Sequence, residues 1–400
     1  MSSSGTLVAG SPRTTAVPRA VYAPVRSLVV YLTEDCNLAC SYCFVKKSPR
    51  RMSSETARQA VEFFLHRNVS GVLRDIEITF FGGEPFLELD RMEEIVALAR
   101  QRRPNTYKHV TFGVTTNGTI FNERVERIVR EAGMKVLVSL DGTADASSQR
   151  LFCSGQPSHD VVARNLPRFV ACSPHTAVRM TFHPQALDLV GNVRHALELG
   201  APAVGLCRVI EADWNGHEAA LEEACERLAD WYIGQVRSGV VPPLVVTNLQ
   251  LMQLHCSHHG GSRPPRSCRM GHSLLSVDPD GNVMACHRCL YRPADWVGRV
   301  EQPVLAPTRQ KHIAFSSHQI VGCHSCVARP VCGGGCRVAA LEAGYDFSQA
   351  HPHQCLIMRS TARALLRIYD TLMAEGNETF GRMLESSFLV PPGLTHLLSE

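Results

Sequence analysis

The sequence SLVVYLTEDCNLACSYCF at residues 27–44 joins a run of strand-forming residues to three closely spaced cysteines. Its first seven residues are mostly β-branched, aromatic or apolar, which predicts a buried strand. The following loop carries Cys36, Cys40 and Cys43, and three thiolates on one loop can bind three irons of a cubane iron–sulfur cluster. The next cysteine is Cys153, so the fourth iron would be open to a substrate or cofactor. The alternatives are three ordinary thiols or part of a zinc site, although zinc sites usually have four ligands.

This strand is the first of six strand-like runs that alternate with helical patterns up to about residue 240. Parallel neighbouring strands need crossover helices, so the alternation predicts an α/β fold with a parallel sheet. The sheet could be doubly wound or a partial barrel, and periodicity does not choose between them. The predicted strands are Ser27–Thr33, Glu77–Phe81, Val110–Thr115, Lys135–Leu140, Ala177–Phe182 and Ala203–Val209. The predicted helices are Ser53–Arg67, Leu89–Arg102, Asn122–Glu131, Leu187–Leu199 and Glu218–Arg237.

Polar, glycine-containing motifs follow the second, third and fourth predicted strands. They are GGEP at residues 82–85, TTNG at residues 115–118 and SLDG at residues 139–142. Ligands in parallel α/β folds bind at the carboxyl ends of strands, which is where these motifs lie. Adjacent glycines allow a ligand to approach the backbone, and Glu84 offers an acceptor for an ammonium group. Each motif alone is typical of a turn, but three in successive strand–helix units predict a binding site.

The C-terminal part of the chain differs in composition. Residues 255–355 hold nine of the sixteen cysteines, together with much glycine and histidine. A turn signal at residues 278–281 separates Ser273–Val277 from Asn282–Ala285, which predicts a β-hairpin. A helical pattern returns at Leu356–Met373. Metal ligands can stabilise a small core of this kind in place of buried apolar area.

Seven of these cysteines have the spacing of metal ligands. Gly333, Gly334 and Gly335 lie among them and allow the backbone to fold tightly. Seven thiols are too many for one four-cysteine site and one short of two, and a pair of structural zinc sites remains an alternative. The seven are Cys268, Cys286, Cys323, Cys326, Cys332, Cys336 and Cys355.

Composition places the chain among ordinary globular proteins. Its 400 residues suggest about two to three domains, and 44% hydrophobic with 20% charged residues excludes a largely disordered chain. A net charge of +4 gives no argument for nucleic acid or a membrane as a partner, and no apolar run approaches the ~20 residues of a membrane span. The N-terminus has no apolar stretch of signal-peptide length, which predicts a cytoplasmic protein with reduced thiols.

The motifs CNLACSYC, GGEP, TTNG and SLDG, in this order, resemble the radical S-adenosylmethionine (AdoMet) superfamily. The resemblance covers roughly residues 27–240 and implies a partial (β/α)6 TIM-like barrel. It also implies that Cys36, Cys40 and Cys43 hold a [4Fe–4S] cluster whose fourth iron binds AdoMet. The family cleaves AdoMet to a 5′-deoxyadenosyl radical, which removes a hydrogen atom from an unactivated carbon.

The same resemblance assigns residues to AdoMet. Gly82, Gly83 and Glu84 would contact the methionine amino group, and Tyr42 would lie near the adenine. Arg150 would contact a carboxylate, with a solvated surface charge as the alternative. Positions that line the ribose and methionine in relatives are matched by Thr116, Asn117 and Ser139.

The cysteine-rich segment resembles a SPASM domain, the extension found in AdoMet radical enzymes that modify peptides. All seven cysteine positions are present in register, and relatives hold two auxiliary [4Fe–4S] clusters there. The resemblance assigns Cys268, Cys286 and Cys336 to auxiliary cluster I, and Cys323, Cys326, Cys332 and Cys355 to auxiliary cluster II.

One further ligand would complete auxiliary cluster I. Some relatives have a cysteine shortly before the first SPASM cysteine, and the nearest here is Cys256, across a longer gap of eleven residues. Cys256 is the assignment we favour from the sequence, with Cys289, or an open iron that binds a substrate thiolate, as alternatives. The histidines at 255, 258 and 259 are expected to form a polar loop beside a cluster. The cysteines without ligand-like spacing are Cys153, Cys172, Cys207 and Cys225, which are expected to be core or surface thiols.

The resemblance predicts an enzyme that modifies a ribosomally made peptide through a thioether or carbon crosslink. Oxidation of a protein Cys or Ser, as in sulfatase maturation, and radical modification of a small metabolite are alternatives. His287 follows Cys286 where sulfatase-maturing relatives have an Asp that acts as base, which counts against sulfatase maturation. A zinc-stabilised binding module without catalysis is the non-enzymatic alternative, although it leaves GGEP and TTNG unexplained.

The expected partners are a peptide or small protein substrate and an electron donor such as flavodoxin or ferredoxin. Only about 26 residues precede the barrel, so recognition of a leader peptide would need a separate leader-peptide-binding protein or another surface. The expected organisation is a flexible arm at 1–26, the barrel at 27–240, the SPASM domain at 250–375 and a C-terminal tail at 376–400.

Overall fold

A computed structural model describes residues 25–66, 75–102, 109–259, 268–302, 307–314 and 319–386. The expected N-terminal arm lies outside these residues except for Val25 and Arg26. Residues 376–386 of the expected C-terminal tail are described, and they include a helix at Glu378–Glu385.

Six parallel strands form the sheet that the alternating pattern predicts. They are almost wholly buried, as expected for parallel strands that crossover helices cover. The strands follow one another across the sheet in chain order, and β6 lies at an open edge. The sheet does not close on itself, so the partial barrel implied by the family resemblance is confirmed. The strands are β1 Ser27–Thr33, β2 Asp75–Gly82, β3 His109–Thr116, β4 Lys135–Ser139, β5 Thr176–Phe182 and β6 Val204–Arg208.

Among the seven α-helices described up to residue 259, five confirm the helical predictions and two were not revealed by the sequence pattern. The first addition is α4, which contains Pro167 in its interior, and the second is α7. The helices are α1 Ser54–His66, α2 Leu89–Gln101, α3 Glu123–Ala132, α4 His159–Cys172, α5 Leu189–Glu198, α6 Glu218–Arg237, α7 Val245–His258, α8 Pro307–Ala314, α9 Arg329–Cys332, α10 Arg337–Glu342, α11 Pro352–Ala374 and α12 Glu378–Glu385.

The C-terminal module extends the barrel sheet instead of forming a sheet of its own. Strand β7 (Leu274–Val277) pairs in parallel with β1, with Ser27 opposite Leu274. Strands β8 (Asn282–Met284) and β9 (Trp296–Arg299) then add in antiparallel fashion. The predicted hairpin is confirmed as β7–β8, and the described sheet has nine strands in the order β6-β5-β4-β3-β2-β1-β7-β8-β9.

Packing between α6 and α11 joins the two parts a second time. Along this contact Arg363 pairs with Glu222 at 2.9 Å, and Arg367 pairs with Glu226 at 2.5 Å. Apolar side chains of both helices belong to one continuous core, which also includes the barrel strands. Among the described helices, none has both the length and the apolar character of a membrane span.

Candidate active site

The loop that carries the cysteine triplet begins where β1 ends and is held at both sides. Glu34 is buried at its start and accepts hydrogen bonds from Ser48 Oγ at 2.5 Å and Arg50 Nη1 at 2.9 Å. Farther along, the Ala39 N–H donates to the Leu151 carbonyl at 2.6 Å. The loop is therefore fixed before any ligand binds, which is the condition for a preorganised metal site.

The environment of Cys36 favours a thiolate ligand. The Leu38 N–H donates to Cys36 Sγ at 3.4 Å, and Asn117 Nδ2 donates to the same sulfur at 3.6 Å. Burial raises the pKa of Cys36 to about 11, and these two donors act against that shift. Burial also raises the pKa of Cys40, whose thiol interacts with that of Cys43. An iron that binds these sulfurs would supply the positive charge that the buried thiolates need.

Gly82 and Gly83 pack directly against the cysteine loop. A Cβ atom on Gly83 would lie 2.0 Å from the Asp35 carbonyl oxygen, and one on Gly82 would lie 2.3 Å from the Thr33 carbonyl oxygen. The Gly83 N–H donates to Thr33 O at 2.9 Å, and the Glu84 N–H donates to Asp35 O at 2.9 Å. The glycines thus position the cysteine loop through the backbone, while their contact with a methionine amino group stays a prediction.

Glu84 is fully buried and connects the ends of β2 and β3. Its Oε1 accepts from Phe86 N at 3.0 Å and Thr116 Oγ1 at 2.9 Å, and its Oε2 accepts from Asn117 N at 2.7 Å. Burial raises the pKa of Glu84 to about 7, although all three hydrogen bonds favour the charged form. The carboxylate is therefore a structural tie in addition to its predicted role toward an ammonium group.

Asn117 links this tie to the triplet loop. Its Nδ2 donates to Asn37 Oδ1 at 2.8 Å as well as to the Cys36 sulfur, and its Oδ1 accepts from Thr119 N at 2.9 Å. With every group of its amide engaged, Asn117 holds the side of the loop that carries Cys36. The TTNG motif thus contacts the cysteine loop directly through Asn117. The glycine and amide content of the motif did not reveal this contact.

Tyr42 joins the last two cysteines to the end of β4. Its hydroxyl donates to Asp141 Oδ2 and accepts from Arg150 Nη1 at 3.0 Å. Asp141 is buried and its second oxygen accepts from Thr181 N at 3.0 Å. Asp141 was missed as a site residue, although its place in SLDG was a usable signal.

Arg150 has a buried donor group that fits an anionic ligand. The side chain is 5% exposed and lies near the Cys40 thiol. Burial raises the pKa of that thiol, and the positive charge of Arg150 acts against this increase. Its Nε is buried and has no hydrogen-bond partner in the described protein. A buried guanidinium with an unused donor beside the triplet fits an anionic group such as the AdoMet carboxylate or the cluster. Ser139 ends β4 at the same edge of the sheet and is partly exposed. The residues present therefore fit a [4Fe–4S] cluster with AdoMet.

Four C-terminal cysteines surround one small cavity. The cavity measures about 30 Å³ and lies between α9 and the first turn of α11. Burial raises the pKa values of two of these thiols, and the neighbouring thiols add to both shifts. A cubane cluster presents separate irons to four thiolates, so one enclosed space lined by four thiols fits it. The four are Cys323, Cys326, Cys332 and Cys355, the set that the resemblance assigns to auxiliary cluster II.

The glycine run beside this cavity adopts a backbone that other residues rarely reach. Gly333, Gly334 and Gly335 have φ values of +61°, +94° and +78°. A Cβ atom on Gly335 would lie 2.6 Å from the side chain of Gln354, whose Oε1 accepts from Cys336 N at 2.7 Å. The run turns the chain sharply between Cys332 and Cys336, and Cys332 lines the small cavity whereas Cys336 does not.

A large cavity of about 910 Å³ lies between the barrel and the C-terminal module. On the barrel side it is lined by strand residues such as Ser27 and Thr111, and by Phe44, which directly follows Cys43. Its opposite wall holds the three cysteines assigned to auxiliary cluster I, namely Cys268, Cys286 and Cys336. Burial raises the pKa of Cys268 to about 12, and the thiols of Cys286 and Cys336 reinforce that shift. The predicted auxiliary site therefore faces the same space as the residue after the triplet.

Cations outnumber anions around this cavity. The only carboxylates in its described lining are Asp75 and Glu77, and Glu77 pairs with Lys135 at 2.9 Å. Arginines also interact with cluster cysteines, and a cluster held by four thiolates carries net negative charge that they would offset. No pattern in the sequence had identified these arginines as residues of a site. The lining cations are Arg26, Lys135, Arg179, Arg208, Arg269, Arg288 and Arg337.

The remaining cysteines occupy varied positions. Cys172, Cys207 and Cys225 are buried, while Cys153 is exposed and its thiol donates to the Cys36 carbonyl at 3.4 Å. Cys256 is exposed on the last turn of α7. The neighbouring histidines pack against Tyr369, and no group of three His, Cys, Asp or Glu side chains in the described residues converges as ligands of a single metal ion would.

Comparison with known proteins identifies the family. Residues 30–188, which hold the triplet and all three strand-end motifs, match the Radical SAM superfamily. The chain contains a radical SAM domain. The radical SAM assignment makes the chain an enzyme and implies AdoMet and a [4Fe–4S] cluster, as the motifs predict.

Curated relatives of the radical SAM domain match different shares of this chain. The uncharacterized protein MJ0907 of Methanocaldococcus jannaschii is 30% identical over 135 residues, which is 34% of this chain and 45% of that protein. The serine-type anaerobic sulfatase-maturating enzyme of Klebsiella aerogenes is 24% identical over 80% of this chain and 82% of its own. The PqqA peptide cyclase of Gluconobacter oxydans is 23% identical over 82% of this chain and 90% of its own.

A solved structure confirms the radical SAM fold together with its C-terminal extension. The structure of anSMEcpe with bound AdoMet matches with a TM-score of 0.74 at 18% identity, covering 93% of this chain and 99% of that chain. The same protein with AdoMet and the Cp18Cys peptide matches with a TM-score of 0.70. The likeness shows that the barrel and the cysteine-rich module occur together in one known architecture.

Proposed function

We propose that this chain is a radical AdoMet enzyme that modifies a ribosomally made peptide by forming a thioether or carbon crosslink. The observation that carries this proposal is the 910 Å³ cavity, which touches Phe44 beside the triplet and the three cysteines of auxiliary site I. A substrate side chain in that cavity would lie between Phe44, which follows the triplet, and the cysteines of auxiliary site I, whereas the triplet cysteines themselves do not line the cavity.

The bound cluster and AdoMet together supply hydrogen-atom abstraction from an unactivated carbon. The chain's own residues bind and orient them. Cys36, Cys40 and Cys43 hold the cluster, and Asn117 fixes the sulfur of Cys36 through its side-chain amide. Arg150 brings a buried positive charge to the triplet and has a free Nε donor for an anionic group.

Relatives support a peptide as the substrate. The names of two curated relatives state action on sulfatases and on the PqqA peptide, and anSMEcpe has been seen with a bound peptide. We therefore propose a peptide or small protein as partner, with a small iron–sulfur or flavin protein such as ferredoxin or flavodoxin as electron donor. A separate leader-peptide-binding protein would complete substrate recognition.

In this proposal the C-terminal module holds two iron–sulfur clusters. The small cavity with four cysteines supports auxiliary cluster II, and the three cysteines that face the large cavity support auxiliary cluster I. A pair of structural zinc sites is the competing assignment for the same thiols. Metal analysis separates them, because two auxiliary clusters add about eight irons to the four of the triplet cluster.

The charge of the large cavity supports a substrate segment that carries carboxylates. Seven cationic side chains line it against two carboxylates, and Lys135 pairs with Glu77. Arg288 pairs with Glu211 outside the lining, and others interact with cluster cysteines as well. An acidic segment entering this space would gain attraction that a basic one would lose. We expect an acidic core peptide to bind at least tenfold more tightly than the same peptide with its acids amidated.

Sulfatase-type oxidation of a Cys or Ser is the second candidate. The long alignment with the Klebsiella enzyme favours it. The position after Cys286 argues against it, because His287 is buried, packs against Phe44 and Phe81, and offers no carboxylate to act as base. Its backbone carbonyl is also fixed by the Tyr31 hydroxyl at 2.7 Å.

The first experiment measures metal content and AdoMet cleavage in the anaerobically reconstituted chain. We expect about twelve irons per chain and release of 5′-deoxyadenosine after addition of dithionite and AdoMet. Replacing Cys36, Cys40 and Cys43 together with Ala should abolish cleavage while about eight irons remain. Zinc in place of iron, or cleavage in the triple variant, would overturn the proposal.

The second experiment identifies the bond formed. Peptides encoded near the gene are incubated with the reconstituted enzyme and analysed by mass spectrometry. A crosslink appears as the loss of two hydrogen atoms from an otherwise intact peptide. Sulfatase-type oxidation of Cys instead replaces sulfur with oxygen and also removes two hydrogen atoms, so that mass change would select the second candidate. Oxidation of Ser removes only two hydrogen atoms, so fragment ions that show two joined residues are needed to establish a crosslink.

A further inference from the structure

Auxiliary cluster I has three assigned ligands, and the structure bears on the fourth. Cys268, Cys286 and Cys336 come from three separate segments and line one wall of the large cavity. Their thiols interact electrostatically with one another, and the Arg337 guanidinium lies near Cys268 and Cys336. A cubane cluster at this site therefore needs one more thiolate or leaves one iron open.

Cys289 lies beside this group. It ends a short 3-10 helix at His287–Cys289 that begins directly after Cys286, and its N–H donates to the Cys286 carbonyl at 3.0 Å. The side chain is completely buried, and the thiol interacts with those of Cys286 and Cys336. A CxxC turn is a common arrangement for metal and cluster ligands.

The backbone around Cys289 is fixed from outside the site. Trp296 Nε1 donates to the Cys289 carbonyl at 3.1 Å. The nearby carboxylate of Asp295 is buried and already paired with Arg292 at 2.8 Å and His312 at 3.2 Å. Besides burial, Asp295 still raises the pKa of Cys289, and its pairing with Arg292 and His312 offsets part of that negative charge.

Cys256 lacks these features. It lies exposed on the last turn of α7, where the flanking side chains of His255 and His258 pack against Tyr369. The position that the sequence favours for the fourth ligand is thus the less suitable of the two.

We propose that Cys289 is the fourth protein ligand of auxiliary cluster I, so that all four irons of this cluster are bound by cysteine. This inference rests on the proposed function, since it requires an iron–sulfur cluster at the site. It excludes direct binding of a substrate thiolate to an open iron of cluster I. The cluster would then serve as an electron carrier beside the cavity.

The test uses the full chain with Cys36, Cys40 and Cys43 replaced by Ala, so that only the auxiliary clusters contribute to the spectra. The reconstituted protein is treated anaerobically with ferricyanide and examined by electron paramagnetic resonance. A cluster with an open iron loses that iron and gives a [3Fe–4S] signal. The proposal predicts that this background keeps about eight irons and gives no such signal.

Cys289→Ala in that background should lose one to four irons per chain and give the [3Fe–4S] signal if the cluster survives. Cys289→Ser, which retains an oxygen ligand and the side-chain size, should keep more iron and shift the spectrum. Cys256→Ala should match the background. Cys225→Ala is the control for removing a buried thiol, because Cys225 lies on α6 beside Thr361 and away from the cluster cysteines.

The alternative outcomes are distinct. A [3Fe–4S] signal in the background itself shows an open iron and overturns the inference without any Cys289 variant. Unchanged iron and spectra in Cys289→Ala, or loss of iron in Cys256→Ala alone, also overturn it while leaving the proposed function intact. A background that binds zinc or no metal overturns both.

Discussion

At the scale of single residues, Glu84 connects the stability of the fold to the cofactor site. Its carboxylate accepts three hydrogen bonds at the ends of β2 and β3 and is fully buried. Two of the donors are backbone N–H groups, which always donate, but the Thr116 hydroxyl can either donate or accept. A protonated Glu84 therefore still finds a partner, which is consistent with a pKa raised to about 7 by burial.

This raised pKa predicts a pH dependence of stability. The pKa rises from the ordinary 4.5 to about 7 on folding, so in this interval the folded chain holds a proton that the unfolded chain has released. Stability contributed by that proton is present below about pH 4.5 and is lost as pH rises through about 7. We expect the unfolding free energy of the apoprotein, relative to that of Glu84→Gln, to fall between about pH 5 and pH 8.

Urea unfolding of both proteins across this range provides the measurement. Comparison with the variant removes the contributions of all other titrating groups, because both chains share them. A difference that stays constant or grows with pH would contradict the raised pKa of Glu84.

The sequence predicted that several candidate site residues lie together, whereas it did not predict their contacts. The strand-end motifs predicted that Gly83, Glu84 and Asn117 lie together, and the structure places all three against the cysteine loop. A sequence does not show which donors a carboxylate satisfies internally, so the structural role of Glu84 was not visible. The arginines around the large cavity were missed for a related reason, because a lone arginine in sequence is usually a solvated charge.

At the scale of elements, the cysteine loop and the start of the GGEP turn form one unit. The two segments are joined by hydrogen bonds from Gly83 and Glu84 to carbonyls at Thr33 and Asp35. No space for a side chain remains at Gly83, since an added Cβ would also lie 2.5 Å from the Asp35 carbonyl carbon. The position of the cysteine triplet therefore depends on Gly83, a glycine in the loop that follows β2.

Gly83→Ala is expected to displace the cysteine loop and to lower iron binding at the triplet. The new methyl group must push the Asp35 backbone away, at a cost of about 1–3 kcal/mol in unfolding free energy. Iron should fall by up to about four atoms per chain, and AdoMet cleavage should fall at least tenfold, with the auxiliary irons retained. Iron analysis, cleavage assays and urea unfolding measure the three effects.

Gly234→Ala provides the matched control for this change. Gly234 lies within α6, and nothing lies within 4 Å of the Cβ that it would acquire. A helical Gly→Ala change without a clash is neutral or stabilising by about 0.5–1 kcal/mol. If Gly83→Ala binds iron and cleaves AdoMet as Gly234→Ala does, the loop does not depend on this close approach.

Most elements were predictable because their patterns were strong. The strands of the barrel are short apolar runs, and α6 (Glu218–Arg237) follows its predicted bounds. Helix α4 was missed because Pro167 interrupts its pattern, although its remaining turns still pack on the barrel. Helix α7 was missed because apolar residues occur on most of its surface, which removes the helical period.

At the scale of the whole molecule, the two parts of the chain share one sheet and one core. Strand β7 pairs with β1 on one side and β8 on the other, so the module completes the barrel edge that β1 would otherwise expose. Sequence patterns predicted a change of composition near residue 249 and hence two domains. They did not predict this pairing, because the partner of an edge strand depends on contacts between segments far apart in the chain.

The shared sheet predicts that the two halves stay together when the chain is cut. The turn between α6 and α7 offers a place for an inserted protease site, because Val240 is 53% exposed and follows Gly239, which has a φ of +87°. After cleavage, the fragments remain joined by β1–β7, by α6 against α11, and by the ion pair of Arg237 with Glu375. We expect them to elute as one species in gel filtration without denaturant.

The variant Leu275→Pro provides the control, because it places a proline within a strand paired on both sides. The fragments of the cut variant should separate at a lower urea concentration than the fragments of the cut parent. Separation of the cut parent in plain buffer would show instead that the module is an independent domain, and the cavity between the barrel and the module would then not be held together by the fold.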